Sequence, residues 1–180
     1  MTDKKKISFI FAVGCLTLLI VRISFAADQG TVGTVSQGRV DINLAIPDLI
    51  RISDLNDFSL GTYSGSGEIN ANDNICVWRN RASAQYKITA TATEGAFKIK
   101  SGANKLAYSV FYNDQIGTSG EIAVSYNTAT ATQTGANTQS SSCAVGGLVG
   151  NVHIKILEAS LQRAQPGAYI GTLILTAEPI

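Results

Sequence analysis

AQYKITATATEGAFKIKSGANKLAYSVFYND, residues 84–114, decides the fold. Tyr86, Ile88, Ala90 and Ala92 alternate with Lys87, Thr89 and Thr91. Phe97 and Ile99 then alternate with Lys98 and Lys100, and Leu106, Tyr108, Val110 and Tyr112 share one face of a third run. A period of two puts every second side chain on one face, which is the signature of half-buried strands. Turn signals separate these runs.

The same pattern extends in both directions. LIRIS (49–53) is extended, and DFSLGTY (57–63) sets Phe58 and Leu60 together before turning at Gly61. SGSGEINANDN (64–74) reads as loop, followed by a strand at ICVWRN (75–80). EIAVSY (121–126), NVHIKILEA (151–159) and AYIGTLILTAEPI (168–180) complete the set, with Tyr169, Leu173 and Leu175 opposite Ile170 and Ile174 in the last. LEASLQRAQPG (157–167) carries at most one helical turn before Pro166. NTATATQTGANTQSSS (127–142) reads as either a long exposed loop or a polar strand pair of low stability. Many short strands separated by turns predict an all-β antiparallel sandwich.

The front of the chain reads differently. Lys4, Lys5 and Lys6 precede an apolar run from Ile7 to Val21, and RISFA places Ser24 and Ala26 at small-residue positions. That is a secretory signal peptide over 1–26, and its run is short of the ~20 residues of a membrane span. The 154 residues that follow suit one domain. They carry 10 basic and 12 acidic side chains, a balance with no basic patch for nucleic acid. Cys15 leaves with the signal. Cys76 and Cys143 remain, and an oxidising compartment favours their pairing as a disulfide; two buried free thiols is the other reading.

QGRVDINLAIPD (37–48) alternates too. Val40, Ile42, Leu44 and Ile46 lie on one face, with Arg39, Asp41, Asn43 and Ala45 on the other. It reads as a half-buried strand, yet it follows a leader, ADQGTVGTVSQG, with no periodicity. Either it opens this chain's own sheet or its apolar ridge enters a neighbour's.

Signals for chemistry are weak. His153 is the only histidine and sits on the polar side of its strand, so it reads as a solvated residue. DLNDFSLGTYSG lacks the spacing of a calcium loop, and GSG (65–67) follows no strand–helix pattern. Trp78, Arg79, Arg81 and the tyrosines 108, 112 and 126 are candidates for a sugar-binding face, against which core and cross-strand packing is the simpler reading. No catalytic, metal or cofactor residue is expected, and no enzyme.

GRVDINLAIPD, FSLGTY, YKITATA with GAFKIKSGANKLAYSVFYND, and PGAYIGTLILTAEPI occur in this order over most of the chain after residue 26. In these pieces the sequence resembles the spore coat protein U-like domain and the subunits of archaic chaperone–usher pili. The resemblance implies an immunoglobulin-like sandwich of pilin type that lacks its last strand. It implies domains at 27–46, an extension with a donor strand, and 47–180, the sandwich. Val40, Ile42, Leu44 and Ile46 would then enter a neighbouring subunit by strand addition. The partners implied are copies of the chain or related pilus subunits, a periplasmic chaperone and an outer-membrane usher, with export to the cell surface. The work expected is that of a fimbrial subunit in surface attachment or biofilm formation. A monomeric secreted sandwich that binds carbohydrate or a surface, and a spore-coat-like matrix protein, are the rival readings.

Overall fold

A computed structural model describes residues 27–180; the signal-peptide reading of 1–26 and Cys15 lie outside the described residues. The chain divides into two units, Met1–Ala45 and Ile46–Ile180. The second holds all the strands among the described residues: β1 (Ile50–Ser53), β2 (Ile69–Arg79), β3 (Tyr86–Ala92), β4 (Lys98–Ser101), β5 (Asn104–Ala107), β6 (Ser109–Asn113), β7 (Ile122–Val124), β8 (Gly150–Ile156) and β9 (Leu173–Pro179), with a single turn of helix, α1 (Glu158–Leu161), between the last two.

The strands form an antiparallel sandwich. One sheet has the order β1-β2-β8-β6-β7. The other layer is β3 paired with β9, and a β4–β5 hairpin joined to the run before β9 by reciprocal bonds between Lys100 and Ile170. The alternation in the sequence produces this arrangement directly. Tyr86, Ile88 and Ala90 of β3 are wholly buried and face Ile75, Val77, Val110, Tyr112 and Val152 of the larger sheet. At the centre the Tyr86 and Tyr112 hydroxyls lie 2.6 Å apart with their rings edge-on. One hydroxyl donates to the other, and burial pushes both phenols far above the ordinary tyrosine range. Gly150 is required beside them, because a Cβ there would come within 2.9 Å of the Tyr112 hydroxyl.

Several expectations need correction. The loop assigned to 64–74 ends early, because β2 starts at Ile69. Asn70, Asn72 and Asn74 look like turn residues, but they alternate along the outward face of a long strand paired with β8. The run 105–113 is not one strand: it breaks at Tyr108, so β5 joins the hairpin and β6 the larger sheet. Residues 127–142 are neither a free loop nor a strand pair, as shown below. His153 is buried rather than solvated, held between Glu121 at 2.9 Å and Asn70 at 3.2 Å and stacked on Phe111. The segment 37–46 forms no strand. In the first unit Asp28 and Arg39 exchange two backbone hydrogen bonds, and no ladder runs along 40–49.

Candidate functional site

The two flanks of the sandwich are finished differently. On one, the polar segment after β7 covers the edge of β3. The Asn127 and Thr130 amides donate to the Ala90 and Ile88 carbonyls, and Gln133 exchanges two bonds with Tyr86. The chain then crosses to the larger sheet, where the Asn137 amide donates to the Val77 carbonyl and its own carbonyl accepts from the Arg79 amide. The buried Asn137 side chain donates to the Val145 and Gly147 carbonyls and accepts from the Gln139 and Ser140 amides. Cys143 closes this flank through its disulfide to Cys76 in β2. The backbone bonds replace strand partners along β3 and β2, and the Asn137 side chain satisfies the loop's own polar groups.

The opposite flank has no such cover among the described residues. Even-numbered residues of β3 bond to 127–133, so its odd-numbered ones bond to β9 at Ile174, Thr176 and Glu178. The N–H and C=O groups of Leu173, Leu175 and Ala177 therefore point to the free edge of β9. The side chains of those three residues point inward, yet they are only partly buried. β1 mirrors this. The Leu49 carbonyl accepts the Asn80 amide while its own amide donates to the Asn80 side chain, and Arg51 and Ser53 pair with Trp78 and Cys76, leaving Ile50 and Ile52 to face outward along the backbone and inward with partly buried side chains.

The two walls separate beyond β1. Asp54 adopts a positive φ of 58°, which turns the chain off β2, and Asp73 then grips the Asn56 amide at 2.7 Å and its side chain at 3.1 Å. From there 57–63 runs on without a strand partner, with Phe58, Leu60 and Tyr63 partly buried. Between this run and 169–173 lies a cleft of about 620 Å³ floored by Tyr108, Ile154 and Ile156. It continues past Leu60 and Tyr169 into a second hollow of about 670 Å³ walled by Tyr63, Ile69, Leu106 and Leu161. The Tyr63 hydroxyl is buried there with no hydrogen-bond partner among the described residues. A groove with an apolar floor and unpaired backbone along its rim is suited to taking an extended strand.

The four residues singled out on the extension carry the matching pattern. Val40, Ile42, Leu44 and Ile46 are 70%, 89%, 83% and 72% exposed. Arg39 and Asp41 pair with each other on the alternate positions at 3.4 Å. Four large aliphatic side chains this exposed on one face of seven residues form a patch of a kind that marks an interaction surface.

The candidate sugar face does not assemble. Arg79 and Tyr112 are fully buried in different places, Tyr126 packs edge-on against Phe97, and Trp78 pairs across to Arg51. Among the described residues no group of three or more His, Cys, Asp or Glu side chains could hold a metal ion, and no helix is long and apolar enough to cross a membrane.

What sequence reasoning missed is the role of Arg79. Its guanidinium binds the Asp48 carboxylate at 3.0 and 2.5 Å, the Ile180 carbonyl at 2.6 Å and the Gln85 carbonyl. Asp48 is thereby held below its ordinary carboxylate pKa. Arginine beside Trp78 at a strand end gives no hint of this, because all three partners are distant in sequence or irregular in structure.

No family model matches the chain, and no curated protein matches it. Seven solved chains do. One of them, from a chaperone–tip adhesin complex in CFA/I fimbriae biogenesis, aligns with 73% of this chain at 15% identity and a TM-score of 0.49, and this chain spans 42% of its length.

Proposed function

We propose that the chain is an exported structural subunit of a chaperone–usher type fimbria, polymerising by donor-strand exchange and serving surface attachment. The groove between 57–63 and 169–175 of one copy takes the segment 40–46 of the next, with a periplasmic chaperone covering the groove beforehand and an outer-membrane usher assembling the fibre. Groove and extension are different surfaces, so the contact is head-to-tail and generates an open filament. The subunit performs no catalysis and needs no cofactor.

The observation that carries this reading is complementary incompleteness. Inward-facing Leu173, Leu175, Ile50 and Ile52 are left partly exposed, while Val40, Ile42, Leu44 and Ile46 present a ridge at the spacing of alternate strand positions. Burying each ridge residue is worth about 1.5–3 kcal/mol, and the free backbone of both walls supplies ladder partners. A monomeric binding module has no use for an exposed aliphatic ridge on its extension.

Leu44→Asp tests the reading. A carboxylate driven into a dry groove is left without a partner, so unboiled samples on an SDS gel are expected to lose their multimer ladder while the monomer keeps its β-rich circular dichroism. A ladder as intense as that of the parent chain contradicts the assignment.

A further inference from the structure

The root of the extension is fixed by a socket that the proposed assembly does not by itself require. Asn80 donates from Nδ2 to the Pro47 carbonyl at 2.8 Å, accepts the Leu49 amide on Oδ1 at 2.8 Å, and donates its own amide to the Leu49 carbonyl. Arg79 forks onto Asp48 between them, and Arg81 approaches the same carboxylate at 3.7 Å. Residues 47–49 are thus held by three consecutive residues at the end of β2. The same Arg79 guanidinium, wholly buried, also holds the carbonyl of Ile180 directly beyond β9 and that of Gln85 just before β3. β9 is a wall of the groove. One cation therefore ties the root of the donor segment to the end of the acceptor wall in the same subunit.

The socket lies far from the deep end of the groove. Ile69, at the start of β2, lines the deeper hollow of the groove, and Arg79 ends that strand, which is 11 residues long. At ~3.3 Å per residue the separation is roughly 30 Å. β9 covers much of that distance, roughly 23 Å at the same rise, from the groove lining at Leu173 to Ile180 at the socket. A strand added along the free edge of β9 restricts its motion over that whole length. Arg79 is where that restriction meets residues 47–49.

We propose that Arg79 is a positioning residue that couples groove occupancy to order at the root of the same chain's extension. A subunit whose groove is filled then holds its own donor segment by a stiffened base, ready for the next addition. Guanidinium suits this role and ammonium does not, since a planar fork can serve a bidentate carboxylate and further carbonyls together. The inference rests on the strand-exchange reading, and coupling of this kind is reciprocal.

The test uses the full chain carrying Leu44→Asp, which blocks self-assembly, and a labelled synthetic peptide of residues 37–46. Amide exchange is followed at Leu49 and Asn80, whose N–H groups lie in the socket. Filling the groove is expected to slow both, by a factor in the range of roughly 5- to 150-fold. With Asp48→Asn added, a mild change at a partly exposed position, the peptide still binds, more weakly, and the slowing disappears. Arg79→Lys is expected to behave the same way if it folds. Slowing that persists in Asp48→Asn overturns the proposal, as does a chain that binds the peptide without any slowing. A chain that fails to bind the peptide contradicts the strand-exchange reading itself, and polarisation of the peptide label tells this outcome from the other two.

Discussion

The two flanks of this sandwich have the same structural problem and solve it in opposite ways. Residues 127–147 contain no aromatic side chain and close their flank through backbone bonds, a buried asparagine and a disulfide. Residues 55–63 and 168–179 contain Phe58, Leu60, Tyr169, Leu173 and Leu175, and leave their flank open. A closed edge needs polar groups in the right order and little apolar bulk. An open edge with apolar bulk needs something from outside. On the proposed reading, the composition of each flank reflects whether its partner lies in the same chain.

The sharpest way to break the contrast is to unlock the closed side. Cys143→Ser removes a cross-link between residues 67 apart in sequence, and unfolding free energy in urea is expected to fall by about 2–5 kcal/mol. Amides of 127–137 should lose exchange protection with it, and a loss confined to the opposite flank would show that the disulfide does not guard this edge. Next comes a matched pair of truncations. Ile88→Ala on β3 should cost the unassembled chain about 2–5 kcal/mol, as for any fully packed core aliphatic. Leu175→Ala on β9 should cost it less than ~1.5 kcal/mol, because its packing is incomplete, and its full cost should appear only in the assembled fibre. Equal losses in the unassembled chain would mean that the flank is already closed. The smallest effect is that of acid. Arg79 lowers the Asp48 pKa, and Lys100 and Lys105 lower that of Glu94. Carboxylates lowered in the folded state stabilise it above their unfolded pKa and lose that contribution as pH falls through the folded one. Stability should therefore hold from neutral pH to about pH 5 and decline below about pH 4, and Asp48→Asn should flatten part of the decline in a pH series of thermal melts.

Much of this fold was legible in the sequence. Alternation located β3, β4, β6, β8 and β9, and cysteine counting led to the Cys76–Cys143 bridge. The failures share a cause. Asn70, Asn72 and Asn74 look like turn formers in isolation, and only pairing with β8 makes them a strand. His153 looks solvated until Glu121 and Asn70 close around it. Asn137 and Arg79 look ordinary, and their roles depend on carbonyls of Val145, Gly147, Gln85 and Ile180, which strand periodicity does not report. Local periodicity reports which side of a strand is apolar, whereas partners of polar groups are set by the tertiary structure. The extension is the reverse case. Val40, Ile42, Leu44 and Ile46 carry a clear strand signal, but they form no ladder among the described residues.

The most direct measurement is residue-resolved amide exchange along β9, before and after assembly. In the isolated chain the amides of Ile174 and Thr176, which face β3, should exchange slowly, while those of Leu173, Leu175 and Ala177 exchange quickly. In the fibre all five should be slow. Protection of Leu173, Leu175 and Ala177 already present in the isolated chain, or absent from the fibre, would contradict the open flank.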